Sequence, residues 1–221
     1  MSTPHTDSPH ITTVVFDLGG VLIDWDPRYL YRRLMPEDEV EVFLEEIGFA
    51  EWNHAQDAGG SWADAVAAHA ARHPDRRELI EAYPQRFVET LGGAIAGTVT
   101  ILEELHAAGV PLLAVTNWSA ETFQVARREY AFLDLFDGIV VSGEEHVAKP
   151  DPRIFAILLR RHNLEAANTV YVDDSPTNVA SAQTAGLVAV RYDSPRSLRD
   201  QLIELGVLPK AEVLVNPRSD S

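Results

Sequence analysis

Residues 11–20 read ITTVVFDLGG. The run over residues 11–18 is apolar and rich in β-branched side chains, and it stops at Gly19-Gly20. That predicts a buried strand ending in a tight turn. Outward from it the pattern changes. Residues 27–93 contain RYLYRRLMPEDEVEVFLEEIG, SWADAVAAHAARH and RRELIEAYPQRFVETL, all with helical spacing and with no strand among them. From Thr98 onward helices and strands alternate. The helix TILEELHAAG, closed by Gly109, leads to the strand VPLLAVTN, then the helix ETFQVARREYAFL and the strand GIVVS. The helix DPRIFAILLRRHNL follows, then the strand NTVYVDD, the helix TNVASAQTAG closed by Gly186, the strand LVAVRY and the helix PRSLRDQLIELG. Alternation of this kind predicts a parallel sheet with helices on both faces. The block 27–93 then reads as a helical insertion after the first strand. It divides a core made of residues 11–26 and 94–208. Residues 1–10 predict a disordered lead and residues 209–221 a flexible tail.

The chain has 221 residues, with 34 acidic side chains against 18 basic ones and a formal net charge of −16. Phosphate backbones and anionic membranes select basic surfaces, so this balance argues against both as partners. No apolar run approaches the roughly 18 residues needed to span a bilayer. The opening MSTPHTDSPH has neither a basic region nor an apolar stretch, which predicts no secretion signal. There are no cysteines, so disulfides, zinc–thiolate sites and thiol nucleophiles are excluded, and a cytoplasmic location fits.

Ligand sites in open α/β sheets lie beyond the carboxyl ends of the strands. Four segments deliver polar groups there: Asp17 after the first strand, Thr116-Asn117 after the second, Lys149 after the third, and Asp173-Asp174 after the fourth. Singly, each has a plainer reading as a turn residue, a helix cap or a solvated lysine. Together they describe one chemistry. A carboxylate in line with phosphorus can act as a nucleophile and form an aspartyl-phosphate. A divalent cation such as magnesium offsets the repulsion between carboxylate and phosphate. A lysine, a threonine hydroxyl and backbone amides at a glycine turn can hold the phosphoryl oxygens.

FDLGGVL, AVTNWS, AKPDPRIF and VDDSPTN, in this order, resemble the four motifs of the haloacid dehalogenase superfamily of hydrolases. The resemblance implies a Rossmann-like sheet of order 5-4-1-2-3 and an α-helical cap at 27–93. It implies that Asp17 is nucleophile and Mg2+ ligand, with Leu18 and Gly19 meeting the phosphate through their backbone and Gly19 adding a backbone metal ligand. Thr116 would hold phosphate, Asn117 and Trp118 would face the substrate, Lys149 would supply positive charge, and Asp174 would bind the metal. Asp173 would orient Lys149 or a metal-bound water, and Asn178 would join that network or cap a helix. One position departs from the pattern. Most phosphatases of the superfamily carry a second aspartate two residues after the nucleophile, as general acid and base, and here Gly19 stands there. Asp24 and Asp26 are candidates to replace it, against a reading as solvated turn acids.

Within the block 27–93, EWNHAQDAGGSW places Trp52, His54, Gln56 and Asp57 beside a Gly59-Gly60 break. Trp52 and His54 are expected to meet substrate; alternatively Trp52 and Trp62 pack inside the cap. The reaction expected is Mg2+-dependent hydrolysis of a small phosphorylated metabolite, a sugar phosphate, by a monomer or homodimer. The alternatives are a metal-independent dehalogenase and a non-catalytic binding protein.

Overall fold

A computed structural model describes residues 10–209. The lead expected over 1–10 and the tail over 209–221 lie almost wholly outside them. The chain opens with β1 (Thr13–Phe16), followed by β2 (Ile23–Trp25). Five helices come next: α1 (Pro27–Tyr31), α2 (Glu37–Glu46), α3 (Phe49–Asp57), α4 (Trp62–Arg72) and α5 (Arg77–Gln85). Then β3 (Leu91–Ala94) and α6 (Ala96–Ala107) lead to β4 (Leu112–Thr116), α7 (Ala120–Glu129) and β5 (Gly138–Val141). The short α8 (Ser142–Glu145) and α9 (Arg153–Arg161) precede β6 (Thr169–Asp173), α10 (Pro176–Thr184), β7 (Val188–Arg191) and α11 (Pro195–Glu204). No helix among the described residues is long and apolar enough to cross a membrane.

The main sheet is five-stranded, in the order β5-β4-β1-β6-β7, and every neighbouring pair is parallel. Counted within this sheet alone, the order is 3-2-1-4-5, the expected arrangement read from its other edge. The labels differ because β2 and β3 were not expected: they pair antiparallel as a separate two-stranded ribbon. Each is only three or four residues long, and Gly92-Gly93 inside β3 reads in sequence as a loop. The ribbon joins the helical block α1–α5 to the core at both of its ends.

Side-chain alternation along β1 feeds two cores. Val14 and Phe16 pack with Ile101, Leu102 and Leu105 of α6 and Leu198 and Leu202 of α11. Val15 points to the opposite face, with Ile154, Phe155 and Leu158 of α9. Helix starts follow ordinary capping chemistry. Asp26 caps α1, Ser119 caps α7, Ser175 caps α10 ahead of Pro176, and Ser194 caps α11 ahead of Pro195.

The helical block is held to the core by hydrogen bonds at the start of α4. The Trp62 indole Nε1–H donates to Ser119 Oγ at 2.8 Å, and the Trp62 backbone N–H donates to Glu121 Oε1 at 3.0 Å. The segment expected to interrupt the helices is itself helical over most of its length, since EWNHAQD lies within α3. Only residues 58–61 break it.

Candidate active site

Asp17 follows β1 directly, and its backbone N–H still bonds Val172 O at 2.8 Å, so the sheet fixes its position. Its side chain is nearly buried. Oδ1 accepts the Leu18 N–H at 2.7 Å and lies 2.9 Å from Lys149 Nζ. Leu18 has its side chain in the core and is fully buried, so only its backbone is available to the site. Burial, partly offset by Lys149, pushes the Asp17 carboxyl up to about 7.

Lys149 is 1% exposed and serves two carboxylates at once. Its ammonium is also 2.8 Å from Asp173 Oδ2, and it donates to Val115 O at 3.1 Å. Desolvation works against the charge, but Asp17 and Asp173 outweigh it and hold the lysine above its ordinary value. Asn117 positions the lysine: Nδ2 donates to Lys149 O at 2.9 Å and Oδ1 accepts the Lys149 N–H at 2.8 Å. Both amide groups of Asn117, expected to face substrate, are thus occupied by the protein.

Asp173 is saturated with partners. Besides Lys149 it accepts from the Tyr171 hydroxyl, from Ser175 N–H at 2.8 Å and from Asn178 Nδ2 at 3.1 Å. Burial raises its carboxyl, and these donors bring it below the ordinary range. Asn178 therefore joins the network. Asp174 is exposed and packs over Gly20: a Cβ at Gly20, where φ is +74°, would come within 2.5 Å of Asp174 Oδ2. Glycine permits both the turn and the approach. Oxygens of Asp17, Asp173 and Asp174 all lie within 4.8 Å of one another. Thr116, the last residue of β4, sits at the same edge and is 1% exposed.

Two cavities meet here. An inner one of about 60 Å3 is bounded by Gly19, Asn117 and Trp118 from the core and by Asn53, Asp57 and Tyr83 from the helical block. An outer one of about 660 Å3 shares Trp25, Asn53 and Asp57 with it and adds Arg28, Glu41 and His54. Trp118 is 5% exposed, and its indole N–H is buried without a partner, leaving a donor free beside the inner cavity.

Several expectations need correcting. Trp52 does not line either cavity. It is 4% exposed in an aromatic cluster, 5.0 Å from Trp62 and 4.9 Å from His69 between ring centroids. Gln56 is buried one turn on and donates to Trp52 O at 2.9 Å. Residues 52 and 56 share the inner face of α3, so the neighbouring pair, Asn53 and Asp57, turns toward the cavities. His54 borders the outer cavity only. Asp24 accepts from the Tyr29 hydroxyl at 2.8 Å, and Asp26 caps α1 and binds Arg28. Neither lines the cavities, whereas Trp25 between them does, as the pleat of β2 requires. Asn53, Tyr83 and Trp25 were not foreseen. The i, i+4 spacing of Asn53 and Asp57 was the available signal.

Residues 11–186 match the family described as haloacid dehalogenase-like hydrolase. Hexitol phosphatase A of Escherichia coli is 29% identical over 218 residues, covering 93% of this chain and 95% of that protein. A phosphorylated carbohydrates phosphatase of Thermotoga maritima is 28% identical, covering 92% and 96%. Among solved structures, a HAD family enzyme from Bacteroides thetaiotaomicron in complex with magnesium and inorganic phosphate superimposes with a TM-score of 0.64 at 20% identity, covering 83% of this chain and 95% of that one.

Proposed function

The chain belongs to the haloacid dehalogenase-like hydrolases, and from that premise we propose that it is a phosphatase for a small phosphorylated metabolite of the sugar-phosphate type. The observation that carries this reading is the ammonium of Lys149, buried 2.9 Å from Asp17 and 2.8 Å from Asp173 at the carboxyl edge of the sheet. A buried ion cluster adds little to stability on balance, so a lysine held against a carboxylate at the ligand edge of the sheet favours a reactive role for that carboxylate. With a metal cation added, the same site can take the charge of a phosphoryl group. The activities named for the two bacterial relatives support the same class of substrate.

Asp17 attacks phosphorus. The ester oxygen leaves, and an aspartyl-phosphate forms, which water then hydrolyses. Lys149 steadies the Asp17 carboxylate, and Asp173 with Asn178 keeps the lysine in place. Thr116 and the backbone at Leu18-Gly19 hold the phosphoryl oxygens. The residues present fit magnesium. Asp174 is exposed and close to Asp17 and Asp173. Asp17, Asp174 and the backbone carbonyl of Gly19 would hold the ion. When bound, it offsets the repulsion between carboxylate and phosphate and polarises the phosphoryl oxygens. The block α1–α5 acts as the cap, with the phosphoryl end of the substrate in the inner cavity and its body in the outer one.

The test is phosphate release from p-nitrophenyl phosphate and a panel of sugar and polyol phosphates, with magnesium or with EDTA. Metal-dependent release that vanishes in Asp17→Asn is the expected result. Chloride release from 2-chloropropionate in EDTA would replace this reading with a dehalogenase.

A further inference from the structure

We propose that Asp57, supplied by the helical block and not by the core, is the general acid and base of this site. The proposal rests on the phosphatase reading above and deepens it. Two carboxylates nearer in sequence to Asp17 are unavailable. Asp24 is bound to Tyr29 and packed against Gly92, and Asp26 is bound to Arg28 and the start of α1. At the position two residues past Asp17 there is no side chain at all. Gly19 instead opens into the inner cavity, where an added Cβ would meet nothing within 4 Å.

Asp57 fills the opposite wall of that cavity. It lines the same 60 Å3 space as Gly19, Asn117 and Trp118, which directly follow the nucleophile and Thr116 in their strands. It is also one of three residues shared with the outer cavity, so it stands where the bond between phosphorus and the leaving oxygen must lie. The side chain is aimed and held. Asn53 Nδ2 donates to Asp57 Oδ2 at 2.9 Å, and Asn53 Oδ1 accepts from the buried Tyr83 hydroxyl at 3.0 Å. This leaves Asp57 Oδ1 for substrate, with the backbone N–H of Ser119 close to the carboxylate. Burial pushes the carboxyl up to about 7, against the opposing pull of that N–H and of Lys149. Such a group carries its proton over much of the range in which an acid is needed, and it gives it up readily.

The step balances. As Asp17 Oδ bonds to phosphorus and the P–O ester bond breaks, the Asp57 proton passes to the departing alkoxide oxygen, releasing an alcohol. The ionised Asp57 then takes a proton from water as its oxygen attacks the aspartyl-phosphate. The Asp17–phosphorus bond breaks, inorganic phosphate leaves, and both carboxyl groups return to their starting states.

The experiment compares the wild-type protein with Asp57→Asn, a variant of nearly equal shape that keeps one acceptor oxygen for Asn53 and loses the titrating proton. Two substrates are used: an alkyl phosphate such as a hexitol phosphate, with a poor leaving group, and p-nitrophenyl phosphate, with a good one. Loss of the acid should cut kcat on the alkyl ester by about 10²–10⁴-fold and change p-nitrophenyl phosphate turnover only a few-fold. Equal losses on both substrates would overturn the proposal, since that is what a merely structural contact between the cap and Ser119 would give. An unchanged alkyl phosphatase rate would overturn it as well. If Asp57→Asn does not fold, the wild-type protein answers alone across aryl phosphates of increasing leaving-group pKa. A shallow dependence of the P–O cleavage rate supports a working acid, and a steep one overturns it. Failure of the phosphatase reading looks different, because the wild-type protein would then release no Asp17-dependent phosphate from any ester.

Discussion

The side chain of Asn117 grips the backbone of Lys149 at both of its polar groups, as donor to the carbonyl at 2.9 Å and acceptor from the N–H at 2.8 Å. The end of β4 and the segment that follows α8, 32 residues on, are thereby held together. Removing the grip loosens the backbone that carries the cation beside Asp17. Asn117→Ala should therefore lower kcat by about 10–100-fold while changing KM far less, because small misplacements of a charged group are costly to the reacting geometry. Steady-state kinetics on p-nitrophenyl phosphate would check this, with equal loss in KM and kcat as the contrary result.

Lys149→Met tests the cost of leaving two buried carboxylates facing each other. Removing one partner of a buried ionic cluster costs about 3–5 kcal/mol. At about 2–4 °C per kcal/mol for a chain of this size, Tm should fall by about 6–20 °C. Adding Asp173→Asn should recover part of that fall. Differential scanning fluorimetry of the single and double variants decides the point.

The carboxyl of Asp57 gives stability a pH dependence with a definite sign. Its ordinary value of 3.8 rises to about 7 in the folded chain, so folding favours the protonated form. That contribution is complete below 3.8, where the unfolded chain is also protonated, and it is lost as pH rises toward 7. Asp57→Asn removes the group, so Tm of the variant minus Tm of the wild type should grow between about pH 5 and about pH 8. A difference that shrinks over that interval would contradict the burial described here.

Gly20→Ala adds a Cβ at a φ of +74° and within 2.5 Å of Asp174 Oδ2. The expected outcome is a displaced Asp174 and a raised magnesium requirement, by about tenfold or more, as for loss of a group that orients a ligand. Stability should fall by only about 1 kcal/mol, the usual cost of a side chain in left-handed backbone. A magnesium titration of activity, beside a melting curve, separates the two effects.

The walls of the outer cavity predict which substrates are refused. Glu41, Glu45 and Glu51 line it, and its one arginine, Arg28, is already bound by Glu41 and Asp26. A second anionic group on the substrate would meet carboxylates with no unpaired arginine or lysine among the lining residues to answer them. Polyol and sugar monophosphates should therefore give higher kcat/KM than phosphoglycolate, measured side by side at equal ionic strength.

The residues that the sheet presents were legible in sequence because a strand end is marked by where its apolar run stops. Asp17, Thr116 and Asp173-Asp174 stand at such stops, while Lys149 lies in the segment beyond its strand, and the structure brings them to one edge. What lies between the helices was harder to read. The β2–β3 ribbon is too short and too rich in glycine to carry a period. Trp52 drew notice as a large aromatic next to polar neighbours, yet aromatic size is what fills the interior of a small helical block. One position later on the same helix, Asn53 and Asp57 face the cavity. Telling those two faces apart needs the packing partners of α3, which no local pattern contains. Asn117 lines the inner cavity, and its bonds to a backbone unit 32 residues away are invisible to local sequence.

The bond from the Trp62 indole to Ser119 has an optical consequence. The chain holds four tryptophans, and all of them lie where the helical block meets the core or within its aromatic cluster: Trp25 and Trp118 on the inner cavity, Trp62 in the bond to Ser119, and Trp52 edge-on to Trp62. Any separation of α4 from α7 moves Trp62 into water, and any occupant of the inner cavity touches two more indoles. Unlabelled protein thus reports opening and filling through its own fluorescence. A stopped-flow trace of that emission would time cap movement against phosphate release within a single turnover.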